Sequence, residues 1–166
     1  TEATFDTVDA ARVEEDRQKI VLASTTGYKA EYAMDRYRDR DVQLVIVPHQ
    51  YGFAPAGQRF PSALVERAQD EGHTVCFGTM LFHTDRLFGP GAAQQVADFL
   101  RMFCQGVKVC VEISLMAANA GLVEAGESVI AVAGTGRGAD TALVVRAATS
   151  MQPKEMRIAQ ILCKPL

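Results

Sequence analysis

The sequence predicts a single α/β domain built on a parallel sheet with helices on both faces. Three observations carry that expectation. The runs KIVLA at 19–23, QLVIVP at 43–48, HTVCFG at 73–78 and SVIAVAG at 128–134 are continuously apolar, the pattern of strands buried on both faces. Segments with helical spacing separate them, and such alternation makes a parallel sheet. The segments that leave these strands, STTG, PHQYGF, FGTMLFH and GTGRGAD, are rich in glycine, hydroxyl, histidine or aromatic residues. In a parallel sheet they would meet at the carboxyl edge, where ligands bind.

In chain order, residues 7–18 are polar with helical spacing and predict a short solvated helix. After the first strand, Tyr28 to Arg40 predicts a helix with Ala30, Ala33, Met34 and Tyr37 on one face. Pro48 stops the second strand, and the loop HQYGFAPAGQRF leads to a helix from Pro61 to about Glu71, proline being favourable at a first helical position. The third strand runs into FGTMLFHTDRLFGPG, whose pattern assigns no element. Gly91 to Phe103 and Gly106 to Ala120 predict two helices, the second stopped by the glycine of AANAGLV. TALVVRAA at 141–148 alternates as a fifth strand would, and MRIAQILCKP at 156–165 reads as a sixth, at an edge.

A length of 166 residues fits one domain, residues 1–166, with no linker or repeat. A domain of this size buries roughly 70% of its unfolded surface and needs no staple. A net charge of −3 argues against nucleic acid as a partner, because that needs a clustered basic surface. No apolar run approaches the ~20 residues of a membrane helix, so no membrane partner is expected. The first residues, TEATFDTVDAARVEEDRQ, hold no apolar signal core. Cys76, Cys104, Cys110 and Cys163 form no CxxC pair and sit among apolar residues, as reduced buried thiols do. A cytoplasmic protein is expected.

Ser24-Thr25-Thr26-Gly27 lies between a strand and a helix. Hydroxyls and glycine at a helix N-terminus can cradle phosphate, with Lys29 adding a cation nearby. The same residues also make an ordinary N-cap. The segment from Gly134 to Asp140 matches the dinucleotide fingerprint formally, but the β-branched TALVVRAA follows where that fingerprint needs a helix. It reads instead as a loop whose free amides let a ligand approach, with Arg137 as a phosphate fork, or as a mobile hairpin.

His49 and His83 follow strands on the same edge and are the candidate acid–base groups, or else strand-end caps. His73 begins its strand and should face the opposite edge. No metal-ligand spacing accompanies these histidines. Cys110 and Glu112 lie in an apolar helix. The thiol reads as core, and the carboxylate as a group that orients a site or caps a loop. Tyr51, Phe53 and Phe60 could pack on a planar ring or pin their own loop.

IVLASTTGYKAEYA, LVIVPHQYGF, QGVKVCVEISLMAANAGL and VIAVAGTGRGADTALVV together resemble, in order and with compatible spacing, the stand-alone proteins similar to the C-terminal α/β domain of pyruvate kinase. The similarity covers nearly the whole chain. It implies a three-layer α/β/α sandwich whose mostly parallel sheet has an antiparallel edge strand. By resemblance, Ser24, Thr25, Thr26 and Gly27 hold a phosphate beside Lys29, and Gly134, Thr135, Gly136, Arg137, Gly138 and Asp140 form a loop that closes over the ligand. The resemblance suggests flavin mononucleotide (FMN), whose flat ring would sit by His49, Tyr51, Gly52 and Phe53. Nothing here matches the catalytic barrel of pyruvate kinase, so no phosphoryl transfer to ADP is implied. The function expected is binding of a phosphorylated small molecule. The alternatives are a flavin-dependent or other enzyme using His49 or His83, and a regulatory, self-associating homo-oligomer with an effector pocket.

Overall fold

A computed structural model describes residues 1–14 and 18–166. The chain runs α1 (Glu2–Glu14), β1 (Lys19–Ala23), α2 (Tyr28–Tyr37), β2 (Gln43–Val47), α3 (Ser62–Asp70) and β3 (Thr74–Val75). It continues through α4 (Asp85–Phe88), α5 (Ala92–Arg101), α6 (Gln105–Asn119), β4 (Ser128–Ala133), β5 (Thr141–Arg146), a 3-10 turn at Pro153–Glu155 and β6 (Arg157–Cys163). The six strands form one sheet in the order β3-β2-β1-β4-β5-β6. β1 pairs in parallel with both β2 and β4, and β2 with β3. The antiparallel pairings gather at one edge, where β5 runs against both β4 and β6.

Continuous apolar strands need cover on both sides, and the alternation of side chains shows how it is met. Ile20, Leu22, Leu44, Ile46, Ile130 and Val132 face one core, which α1, α2 and α3 close with Phe5, Val8, Met34, Tyr37, Leu64 and Ala68. Val21, Val45, Val47, Val129, Ala131, Leu143 and Val145 face the other, which α6 closes with Val107, Cys110, Ile113, Met116 and Ala117. Each fully buried large apolar side chain contributes roughly 1.5–3 kcal/mol. α5 lies outside α6, in a third cluster of Phe82, Ala97, Val111 and Leu115. Among the described residues no helix is long and apolar enough to cross a membrane.

The structure corrects the reading of the first helix. It begins at Glu2 and is docked rather than solvated; residues 15–17 of the expected span lie outside the described residues. Phe5 and Val8 are fully buried and Ala11 nearly so, one residue per turn, a stripe too narrow to stand out among polar neighbours. Phe5 packs on the rings of Tyr32 and Tyr37, with centroids 5.1 and 6.2 Å away. Arg36 in α2 reaches back to Asp6 at 2.6 Å and Asp9 at 2.8 Å.

Other boundaries shift by less. The third strand keeps two paired residues of the expected six, with Cys76 N–H extending the pairing by donating to the Ile46 carbonyl at 2.8 Å. The stretch without an expected element contains the single turn α4. Pro61 precedes α3 in an extended conformation and is not its first residue. All four cysteines are free thiols, but only Cys76 and Cys110 are buried as expected; Cys104 and Cys163 are partly exposed.

If α1 is part of the core, Phe5→Ala should destabilise the protein by about 3–5 kcal/mol, read as a lower urea midpoint. A loss below about 1 kcal/mol, the scale of a surface substitution, would return α1 to solvent.

Candidate functional site

β1 lies between β2 and β4, and the chain leaves it in two directions. α2 and α3 carry it across one face out to β3, and α6 returns it across the other face to β4. The carboxyl ends of β1 and β4 therefore flank a topological switch, the place where open α/β sheets form a ligand crevice. A cavity of about 690 Å³ lies there. That volume is within the range of about 300–1,000 Å³ that small-molecule sites occupy.

Each wall comes from a segment that follows a strand. Ser24, Thr25, Thr26 and Lys29 follow β1; Pro48, His49, Phe53 and Arg59 follow β2; Met80 and His83 follow β3. Gly134, Gly136 and Arg137 follow β4. The remaining wall is one stripe of α6, with Gln105, Lys108, Val109, Glu112, Ile113 and Met116 three or four residues apart.

The loop after β1 turns through Gly27, whose φ of 93° favours glycine and where a Cβ would collide with the Leu64 side chain. Ser24 is buried, and its Oγ accepts from the Ala30 amide at 3.2 Å, satisfying one donor of the first turn of α2. Ser24 thus supplies a capping oxygen from outside the helix, whose N-cap residue is Gly27, and Ser24, Thr25 and Thr26 all lie on the cavity wall. Thr25 Oγ1 lies 3.3 Å from His49 Nε2.

Lys29 is buried, and burial lowers its pKa, although Asp140 nearby acts in the opposite direction. Its Nζ donates to the Gly138 carbonyl at 3.5 Å. Arg137 lies over the Tyr28 ring, 4.5 Å from its centroid. The lining holds four basic side chains, Lys29, Arg59, Lys108 and Arg137, against one carboxylate, Glu112.

The glycine loop is held from behind. Asp140 accepts from the Thr135 amide at 2.9 Å and the Thr141 hydroxyl at 2.6 Å. Residues at the start of the chain hold it as well. Thr4 Oγ1 donates to the Ala139 carbonyl at 3.0 Å, and Thr1 Oγ1 accepts from the Ala139 amide at 3.1 Å. A Cβ at Gly134 would collide with the Gly138 carbonyl, so the turn needs glycine for close approach.

Glu112 joins three partners at the inner wall. Its Oε1 accepts from the Phe82 amide at 2.8 Å and from His83 Nδ1 at 3.2 Å. Its Oε2 lies 2.5 Å from Lys108 Nζ. Lys108 and Glu112 are almost fully buried, and burial lowers the Lys108 pKa while Glu112 opposes that shift. Glu112 and Lys108 both face His83, whose Nδ1 also lies 3.5 Å from Lys108 Nζ. Phe53 stands edge-on to both His49 and His83, with centroids 4.5 and 5.3 Å away.

Several expected residues are elsewhere. Tyr51 is exposed and packs with Phe77 in a neighbouring groove. Gly27, Gly52, Thr135, Gly138 and Asp140 are outside the lining. His73 accepts from the Leu44 amide at 3.4 Å, far along β2 from its carboxyl end. Arg59, Gln105, Lys108, Met80 and Met116 were not anticipated. Lys108 carried a signal, since it lies four residues before Glu112 in an otherwise apolar helix. Arg59 carried none.

Among the described residues no group of three or more His, Cys, Asp and Glu could hold a metal ion. No protein-family model matches the chain.

The His49 environment gives a pH dependence. Burial, then the neighbouring His83, lowers the His49 pKa below the usual 6.5, and burial lowers that of His73 too. Below pH 6.5 the unfolded chain therefore binds more protons than the folded one, so stability falls as pH falls through that value and is flat above it. Urea midpoints between about pH 7.5 and 5.5 should decline less steeply in His49→Gln than in the wild type. Parallel declines would contradict the assignment.

Proposed function

We propose that the cavity binds a phosphorylated small molecule, with FMN the best-matched ligand. The observation that carries the reading is the charge of the lining, four basic side chains to one carboxylate, at a switch point bordered by a helix N-terminus. Thr25, Thr26 and Lys29 would hold the phosphate with the first-turn amides of α2. Arg137 and the Gly134–Gly136 backbone would approach from the opposite side.

Phe53, Met80, Val109, Ile113 and Met116 give the remainder of the cavity an apolar lining that suits a flat ring. Tyr51 has no part in that contact. The finer fold assignment, a relative of the pyruvate kinase C-terminal domain, belongs to the same proposal. The six-stranded sheet, mostly parallel with its antiparallel pairings at one edge, supports it.

The magnitudes suffice. A helix terminus contributes about 0.3–1 kcal/mol, up to ~2 in a partly buried site. Charge-assisted hydrogen bonds contribute about 1.5–3 kcal/mol each before ordering costs. Two or three reach roughly micromolar affinity, about −8 kcal/mol.

Titration with FMN and with riboflavin, followed by flavin fluorescence, tests the phosphate anchor. FMN should bind about tenfold to a hundredfold more tightly, as one or two charge-assisted bonds require, and Lys29→Met should remove most of that difference. Equal affinities, or no binding of either flavin, would contradict the proposal.

A further inference from the structure

We propose that the inner wall of the cavity is a proton-transfer site, in which His83 removes the proton beside the carbonyl of a phosphorylated hydroxy-carbonyl compound. The phosphate anchor rests on the reading of the cavity given above, with this smaller compound taking the place of the flavin; the base does not.

The fold has taken a carboxylate and an ammonium out of water. Lys108 and Glu112 have side-chain exposures of 1% and 3%. A buried ion pair is often no more stabilising than apolar residues of the same volume, so stability gives little reason for it. What the pair does have is a third partner. Two groups face His83 Nδ1, Glu112 Oε1 at 3.2 Å and Lys108 Nζ at 3.5 Å, and Lys108 already donates to Glu112 Oε2; the closer carboxylate can only accept, which places the proton on Nδ1. The lone pair is then on Nε2, which has no partner among the described residues. His83 lines the cavity, and Phe53 holds its ring edge-on. A base oriented by a buried carboxylate, with its free nitrogen beside a ligand space, has the geometry of general base catalysis.

The cavity also selects the kind of acid. Removal of a proton next to a carbonyl breaks a C–H bond, forms N–H at Nε2 and moves the electron pair onto the carbonyl oxygen as an enolate. The negative charge arises in a lining whose single carboxylate is paired with Lys108, leaving Lys29, Arg59 and Arg137 to favour the enolate over the carbonyl form. Return of the proton to carbon restores the base, so the exchange needs no oxidant, reductant or second substrate. Glu112 and Lys108 act here as positioning residues, through His83.

The test is solvent exchange in D₂O followed by proton NMR, with dihydroxyacetone phosphate and dihydroxyacetone as probes. The wild-type protein should exchange the carbon-bound protons of the phosphorylated probe. His83→Gln should slow exchange by about 100-fold or more. Glu112→Gln should lower kcat while KM changes by less than about twofold, a split that loss of folding would not produce. If Glu112→Gln does not fold, His83→Gln decides alone. Equal exchange of both probes would keep the base and remove the phosphate anchor. Absence of protein-dependent exchange from either probe, or exchange undiminished in His83→Gln, overturns the inference.

Discussion

The placement of β1 between two parallel neighbours is the constraint on which the site depends. With β2 on one side and β4 on the other, the segments that leave β1 and β4 emerge side by side. A hydroxyl loop and a glycine loop more than a hundred residues apart in sequence become two lips of one crevice. Exchange of β1 and β2 in the sheet would leave every local motif intact and separate the two lips. Val21 and Leu22 find cover on opposite faces, as a strand in the interior of the sheet requires.

Rigidity behind the lips matters as much as their position. The loop after β1 has its backbone set by Gly27, and Ser24 caps the first turn of α2 while lining the cavity beside the next two threonines. The loop after β4 is tied by Asp140 in front of β5 and by Thr1 and Thr4 beside it. Docking of α1 through Phe5 therefore does more than fill a core, since it carries Thr4 to the base of the glycine loop. Opposite both lips, α6 combines two roles on one helix. Its sheet-facing side packs Cys110 and Ala117, while its cavity side presents Gln105, Lys108 and Glu112.

Much of this was legible in the sequence, because burial on both faces of a strand leaves an unbroken apolar run and burial of one helix face leaves a 3.6-residue period. Those signals located β1, β2, β4, α2 and α6. α1 escaped because a helix that buries one residue per turn has almost no periodic contrast. β3 was overread because HTVCFG stays extended after its pairing has ended. At the site, residues adjoining strand ends were found through topology, whereas Arg59 and Met80 come from loops whose course only tertiary packing determines. Tyr51 shows the converse error: an aromatic residue in the right loop, packed in the neighbouring groove. Glu112 stood out as a charge in an apolar run, and Lys108, four residues earlier in the same run, carried the same signal.

Backbone amide NMR during addition of FMN measures directly whether the crevice beside β1 receives a phosphorylated ligand. Shifts should concentrate at Thr25, Thr26, Lys29, Gly134 and Gly136, with Tyr51 and Gly52 little affected. Shifts centred on the Tyr51–Phe77 groove, with the residues after β1 and β4 unmoved, would contradict it.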